Sequence, residues 1–164
     1  METFDAIFSR RSIRQYDDRP VPREMIEKIV DAGLQAPSGR NVQPVEFIAI
    51  MDSDIRNRLA QICSYGKFIA EAPVCLVVIS KNSKYYLEDG SAAVENVLLA
   101  ATDLGLGTCW VAGDKKPYAG DILEISGVPD GYKLICLISV GYAAVNPPNK
   151  KKKSISEGLH WERF

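Results

Sequence analysis

Arg10, Arg11, Ser12 and Arg14 fall within five consecutive positions. Guanidinium groups this close on an extended segment cannot all spread equally into solvent, and with a serine hydroxyl they make a compact donor set for a dianionic phosphate. A helix C-terminus whose arginines complement the dipole accounts for the same residues. Four lysines, Lys150 to Lys153, form a second cationic run. A run of like charges reads first as a solvated segment, from which one or two lysines can fold back onto a phosphate. Between these ends lies Ala36-Pro-Ser-Gly-Arg-Asn-Val-Gln-Pro44, where two prolines and a glycine make a rigid polar loop. Ser38, Arg40, Asn41 and Gln43 offer donors there, although a plain helix-to-strand turn has the same composition. In Gly105-Leu-Gly-Thr-Cys-Trp-Val-Ala-Gly113 the glycines let backbone approach a flat ligand, with Trp110 or Val111 covering it. A helix end followed by a core strand explains this stretch equally well. It is neither a Walker loop nor a dinucleotide fingerprint.

Other chemistries are poorly served. The single histidine, His160, lies in the tail, which excludes a histidine-rich zinc site and disfavours a nucleophilic triad. Cys63, Cys75, Cys109 and Cys136 form no Cys-x-x-Cys pair, and each sits in an apolar stretch, as buried free thiols do. No metal site is expected. Glu88 and Asp89 read as a solvated helix face. Glu95 lies within an apolar stretch, where acid–base work is conceivable. A bound cofactor is the natural carrier of any reaction.

The elements that must position these groups follow from periodicity. Phe4, Ile7 and Phe8 share helical spacing behind Thr3, a suitable cap. A helix is expected from Pro22 to Leu34, a strand from Val45 to Met51, and a helix capped by Ser53. Val74 to Ile79 is a β-branched run suited to a strand buried on both faces. The longest helix is expected from Glu88 to Leu104, ringed by small and apolar residues. A short strand at Cys109–Val111, a helix near Tyr118–Ser126 and a strand at Leu134–Val140 complete the pattern, with an extended basic tail from about residue 147. Strands and helices without strict βαβ alternation favour an α+β sandwich. The chain has 164 residues, 46% hydrophobic and 25% charged, with a net charge of -1. One domain spanning 1–164 with a sizeable core is expected. The charge balance argues against nucleic acid, no apolar run reaches a membrane span, and an acidic N-terminus without a signal core points to the cytoplasm.

The order of these segments is more specific than any one of them. A helix running into Arg-Arg-Ser-Ile-Arg, then Ala-Pro-Ser-Gly-Arg-Asn-Val-Gln-Pro, then Ala-Ala-Val-Glu-Asn-Val-Leu-Leu-Ala-Ala-Thr-Asp-Leu-Gly-Leu-Gly-Thr-Cys-Trp, then Ile-Ser-Val-Gly-Tyr and a basic stretch resembles the FMN-dependent nitroreductase family. The likeness runs from Phe4 to about Glu157. It implies a nitroreductase-like α/β sandwich, with a central mixed sheet flanked by helices, in a domain-intertwined homodimer with FMN at the subunit interface. By the same resemblance Arg10, Arg11, Ser12 and Arg14 contact the FMN phosphate, ribityl chain and pyrimidine edge. Pro37, Ser38, Gly39 and Asn41 match a loop contributed by the partner subunit, with Gln43 beside it. Trp110, Val111, Ala112 and Gly113 match the stretch against the flavin, where a backbone N–H faces N5. Lys150 and Lys152 match the phosphate-holding positions, with Lys151 and Lys153 the alternative register, and Lys67 matches a further basic position. At Ala112 the family often carries a carboxylate, and this chain has none.

The activity so implied is ping-pong hydride transfer from NADH or NADPH through FMN to a small electron-poor acceptor such as a nitroaromatic or quinone, with no catalytic side chain. The alternatives are dehalogenase or enoate reductase chemistry on the same fold, a non-catalytic flavin-binding module, or a scaffold for an acidic partner.

Overall fold

The computed structural model describes residues 1–148 and 150–164. Helices α1 (Thr3–Ser9) and α2 (Arg23–Leu34) precede strand β1 (Val45–Ile50), helix α3 (Ser53–Ile62) and strand β2 (Val74–Lys81). Helix α4 (Tyr86–Asp103), strand β3 (Gly107–Ala112), helix α5 (Ala119–Ile125), strand β4 (Tyr132–Gly141) and a short helix α6 (Ile155–Gly158) follow. The strands lie in the order β1-β2-β4-β3, and all three pairings are antiparallel. The expected mixed character of the sheet is confined, among the described residues, to one parallel bridge between Ser12 and Thr108.

The sheet is covered on both faces. Val74, Leu76 and Val78 of β2 and Ile138 and Val140 of β4 pack with α2 and α4. Cys75, Val77 and Ile79, with Leu137, pack with α3 and α5 on the other side. Alternate side chains of a strand point to opposite faces, so a central strand apolar at every position needs a layer on each side. β2 is buried from Val74 through Ser80, as its β-branched run predicts. A register shift between Val78 and Ile79 leaves Ile135 as the extra residue of β4. α4 crosses Ile135 at Gly90, where a Cβ would lie 2.7 Å from Ile135 Cγ1.

Several boundaries differ from expectation. Asp52, not Ser53, caps α3, accepting the Ile55 N–H at 2.9 Å. Thr3 and Pro22 each sit one place from the expected role: Glu2 is the N-cap of α1, and Pro22 is the N-cap of α2. The tail is not extended throughout. Ser154 and Glu157 form a reciprocal capping box that starts α6.

Candidate functional site

The segment after α1 is laid along the sheet by backbone hydrogen bonds. The Ile13 N–H donates to the Thr108 carbonyl at 2.8 Å, the Asp17 N–H to the Tyr142 carbonyl at 3.0 Å, and the Ala144 N–H to the Gln15 carbonyl at 3.0 Å. Gly107 makes this crossing possible, because a Cβ there would meet Ile13 Cγ1 at 2.7 Å. Below the segment, the buried Tyr16 hydroxyl donates to the Ile13 carbonyl at 2.7 Å and lies 2.6 Å from the Ser139 hydroxyl. Burial drives the Tyr16 phenol well above its ordinary pKa, so it stays a neutral donor.

This scaffold presents Arg10, Arg11, Ser12 and Arg14 to a cavity of about 400 Å³. Lys150 and Lys152 close it from the tail, and Ile7, Phe8, Pro147 and Pro148 complete the wall. The structure therefore brings together two cationic segments from opposite ends of the chain. It uses alternate lysines, as an extended segment does. The Arg11 Nη1 donates to the Phe8 and Arg10 carbonyls, both at 2.7 Å. The Arg10 Nε lies 3.8 Å from a Glu95 carboxylate oxygen. Glu95 is exposed there, which makes it a guanidinium partner rather than a buried acid. Cys109 is buried beneath the arginines. Desolvation raises its thiol pKa, and Arg14 and Ser12 oppose that shift.

β3 supplies an open edge beside this cavity. In an antiparallel strand the backbone groups of one residue point the same way and alternate along the chain. Because the Thr108 carbonyl accepts from Ile13, Thr108, Trp110 and Ala112 direct their backbone groups to the outer edge. The Tyr118 hydroxyl donates to the Ala112 carbonyl at 2.8 Å. Trp110 is exposed, whereas the Val111 side chain is buried under α5 and offers a ligand only its backbone. Gly113 packs tightly on Leu134, where a Cβ would lie 2.7 Å from Leu134 Cδ2.

The loop from Pro37 to Gln43 lines no part of the cationic cavity. Pro37, Ser38 and Gln43 border a separate cavity of about 330 Å³ beside α4. Arg40, Asn41 and Gln43 hold φ of 56°, 56° and 51°, a left-handed conformation that L-residues adopt only under constraint. The Ser38 hydroxyl accepts the Gln43 N–H at 2.9 Å, and Asp89 Oδ1 accepts the Gly39 N–H at 2.9 Å. Asp89 is thus buried, not part of the solvated face expected of it. Lys67 also stands apart, its ammonium donating to the Gln61 carbonyl at 3.0 Å. Sequence reasoning misread Asp89 and missed Tyr16 and Ser139, because each acts through a contact distant in the chain.

A phosphorylated ligand with a flat ring fits this donor set. Five cations surround one opening, and an open strand edge with an exposed indole lies alongside.

The family model described as the nitroreductase family matches residues 7–66 and 63–142. A Methanothermobacter thermautotrophicus protein provisionally named NADH dehydrogenase/NAD(P)H nitroreductase is 34% identical over 153 residues, covering 90% of this chain and 80% of that protein. A crystal structure from Bacteroides thetaiotaomicron under the same provisional name superposes with a TM-score of 0.94 at 31% identity, covering 99% of this chain and 98% of that one. A structure described as an FMN-dependent nitroreductase from Clostridium difficile gives a TM-score of 0.86 at 32% identity, covering 98% and 99%. With its family segments in order and its four-stranded sandwich superposing on these structures, the chain belongs to the nitroreductase family.

Proposed function

We propose that this protein is an FMN-dependent oxidoreductase that takes reducing equivalents from NADH or NADPH and delivers them to a small electron-poor acceptor, a nitroaromatic or a quinone. Donor and acceptor visit one face in turn, and the working unit is a homodimer. The observation that carries the reading is the cationic cavity itself, in which Arg10, Arg11 and Arg14 meet Lys150 and Lys152.

Each part of the site has a task. The arginines and lysines draw in and orient the phosphate by charge-assisted hydrogen bonds. The outward N–H groups of Trp110 and Ala112 are donors for the edge of a planar ring. The Trp110 indole covers part of that ring. When bound, FMN supplies the redox chemistry, accepting hydride from a reduced nicotinamide and passing it to the acceptor. The side chains bind, orient and tune, which agrees with a site holding no histidine.

The dimer is proposed on two grounds. The Pro37–Gln43 loop shares no cavity with the arginines of its own chain, so a site built from both takes the loop from a second copy. Large apolar side chains are also left in water: Phe4 and Phe8, each 72% exposed and stacked at 6.2 Å, and Ile155, Trp161 and Phe164 in the tail. Such patches are what an obligate interface buries.

The test begins with the visible spectrum of the purified protein and identification of any released flavin. Stopped-flow bleaching by NADH and NADPH, then turnover with menadione or nitrofurazone, follows. A colourless monomer that takes up no FMN overturns the proposal. A yellow protein that neither nicotinamide bleaches leaves a flavin-binding module without this activity.

A further inference from the structure

We propose that Asp89 is a positioning residue: by holding the Gly39 amide it fixes the strained Pro37–Gln43 loop in the shape that grips FMN bound chiefly by the other subunit. The inference rests on the functional reading above, in which that loop reaches across the dimer.

The loop is costly to keep. Three non-glycine residues, Arg40, Asn41 and Gln43, sit at positive φ within four positions. Strain of this kind persists only where the surroundings over-determine it, and it gathers at ligand-holding segments. Beside its own backbone turns, two side-chain hydrogen bonds among the described residues secure this loop. The Ser38 hydroxyl closes it on itself through the Gln43 N–H. Asp89 alone of the two ties it to the body of the protein, from the first turn of α4. Gly39 is pressed so closely against Tyr85, the N-cap residue of α4, that a Cβ would lie 2.8 Å from the Tyr85 ring.

Asp89 is 7% exposed, while Glu88 and Glu95 of the same helix lie open to water. A carboxylate withdrawn from water needs compensation, and the first helical turn and the Gly39 amide provide it. What this arrangement fixes is the loop. The pinned residues Ser38 and Gly39 are half-buried, and Arg40, Asn41 and Gln43 are left exposed for a partner. Asp89 touches no part of the cationic cavity, so its effect on FMN passes through loop shape.

The experiment compares the full-length wild type with Asp89→Ala and Asp89→Asn. FMN affinity is read by flavin fluorescence, and Gly39 amide exchange by NMR. Asparagine keeps an acceptor oxygen for the amide, and alanine does not. In Asp89→Ala the Gly39 amide exchanges faster and FMN binding weakens about tenfold or more, while Asp89→Asn stays within about threefold of wild type. Dimerisation and the apo melting temperature stay close to wild type in both. If Asp89→Ala does not fold, Asp89→Ser, whose hydroxyl is too short to reach the amide, replaces it under the same criteria. Wild-type FMN affinity in the variant that frees the amide overturns the inference, as does an Asp89→Asn loss equal to that of alanine. A wild type that takes up no FMN instead defeats the functional reading itself.

Discussion

The Tyr16 and Ser139 hydroxyls lie 2.6 Å apart, joining the segment after α1 to the centre of β4 inside the core. The same phenol donates to the Ile13 carbonyl, so one buried group spans the cationic segment and the sheet. Tyr16→Phe keeps the ring and deletes both contacts, leaving the Ile13 carbonyl and the Ser139 hydroxyl short of a partner. A loss of about 1–3 kcal/mol is expected from denaturant titration of the apoprotein. FMN affinity should fall as the arginine segment loosens. An unchanged midpoint would show that the phenol contributes packing alone.

Gly107 and Ile13 make the second seam. Gly107→Ala places a methyl 2.7 Å from Ile13 Cγ1 and 2.9 Å from its Cβ. Ile13 cannot retreat without breaking its bond to the Thr108 carbonyl. Destabilisation of about 1–3 kcal/mol is expected for this overpacking. Adding Ile13→Ala makes room for the methyl, so the double variant should be less destabilised than the sum of the singles. Strict additivity would place the strain elsewhere.

What the sequence made legible was residue type in order along the chain. Arg10 to Arg14 and Lys150 to Lys153 announced a cationic site, and the β-branched run of β2 announced a two-faced strand. Contacts across the fold were not legible. Asp89 reads as a neighbour of Glu88 on a helix, and only its bond to Gly39, fifty residues earlier, sets it apart. Tyr16 belongs to no periodic pattern. Asp52 and Ser53 are adjacent capping residues, and local sequence does not choose between them. Lys67 carries the right charge, but the end of α3 claims its ammonium.

Lys150 and Lys152 face the cavity, while Lys151 and Lys153 are absent from its lining. Replacing Lys150 and Lys152 with alanine should weaken FMN binding by about 10–100-fold, as expected for lost charge-assisted bonds. It should also flatten the dependence of affinity on salt. The Lys151/Lys153 pair should change affinity by less than about threefold at 0.15 M salt. The reverse ranking in fluorescence titrations would shift the register by one residue.

Burial raises the pKa of all four thiols, that of Cys63 to about 11 with Lys67 opposing. Desolvation disfavours the thiolate, so the native protein should resist an aromatic disulfide reagent at pH 8, whereas the unfolded chain reacts at once. The linkage has a definite sign. An unfolded thiol ionises near the ordinary value of 9.0 while folded Cys63 still holds its proton, so its contribution to stability is intact below pH 9 and shrinks from there towards 11. Denaturation midpoints should therefore fall over that window, and less steeply in Cys63→Ala. Rapid labelling of native protein at pH 8 would contradict the buried placement.

The apolar surface of α1 and the tail gives the last prediction. Phe4 and Phe8 stack on one another in water, and Trp161 is 75% exposed. In a dimer these side chains leave water, each large one contributing about 1.5–3 kcal/mol of burial. Phe4→Ser with Phe8→Ser should shift sedimentation towards monomer at low micromolar concentration. In the proposed dimer the Pro37–Gln43 loop would then no longer meet the cationic cavity of a second copy, and Phe8 itself lines that cavity, so bound FMN should be lost in parallel. A fully dimeric double variant would remove α1 from the interface, and a monomer that keeps FMN would show that one chain holds the cofactor alone.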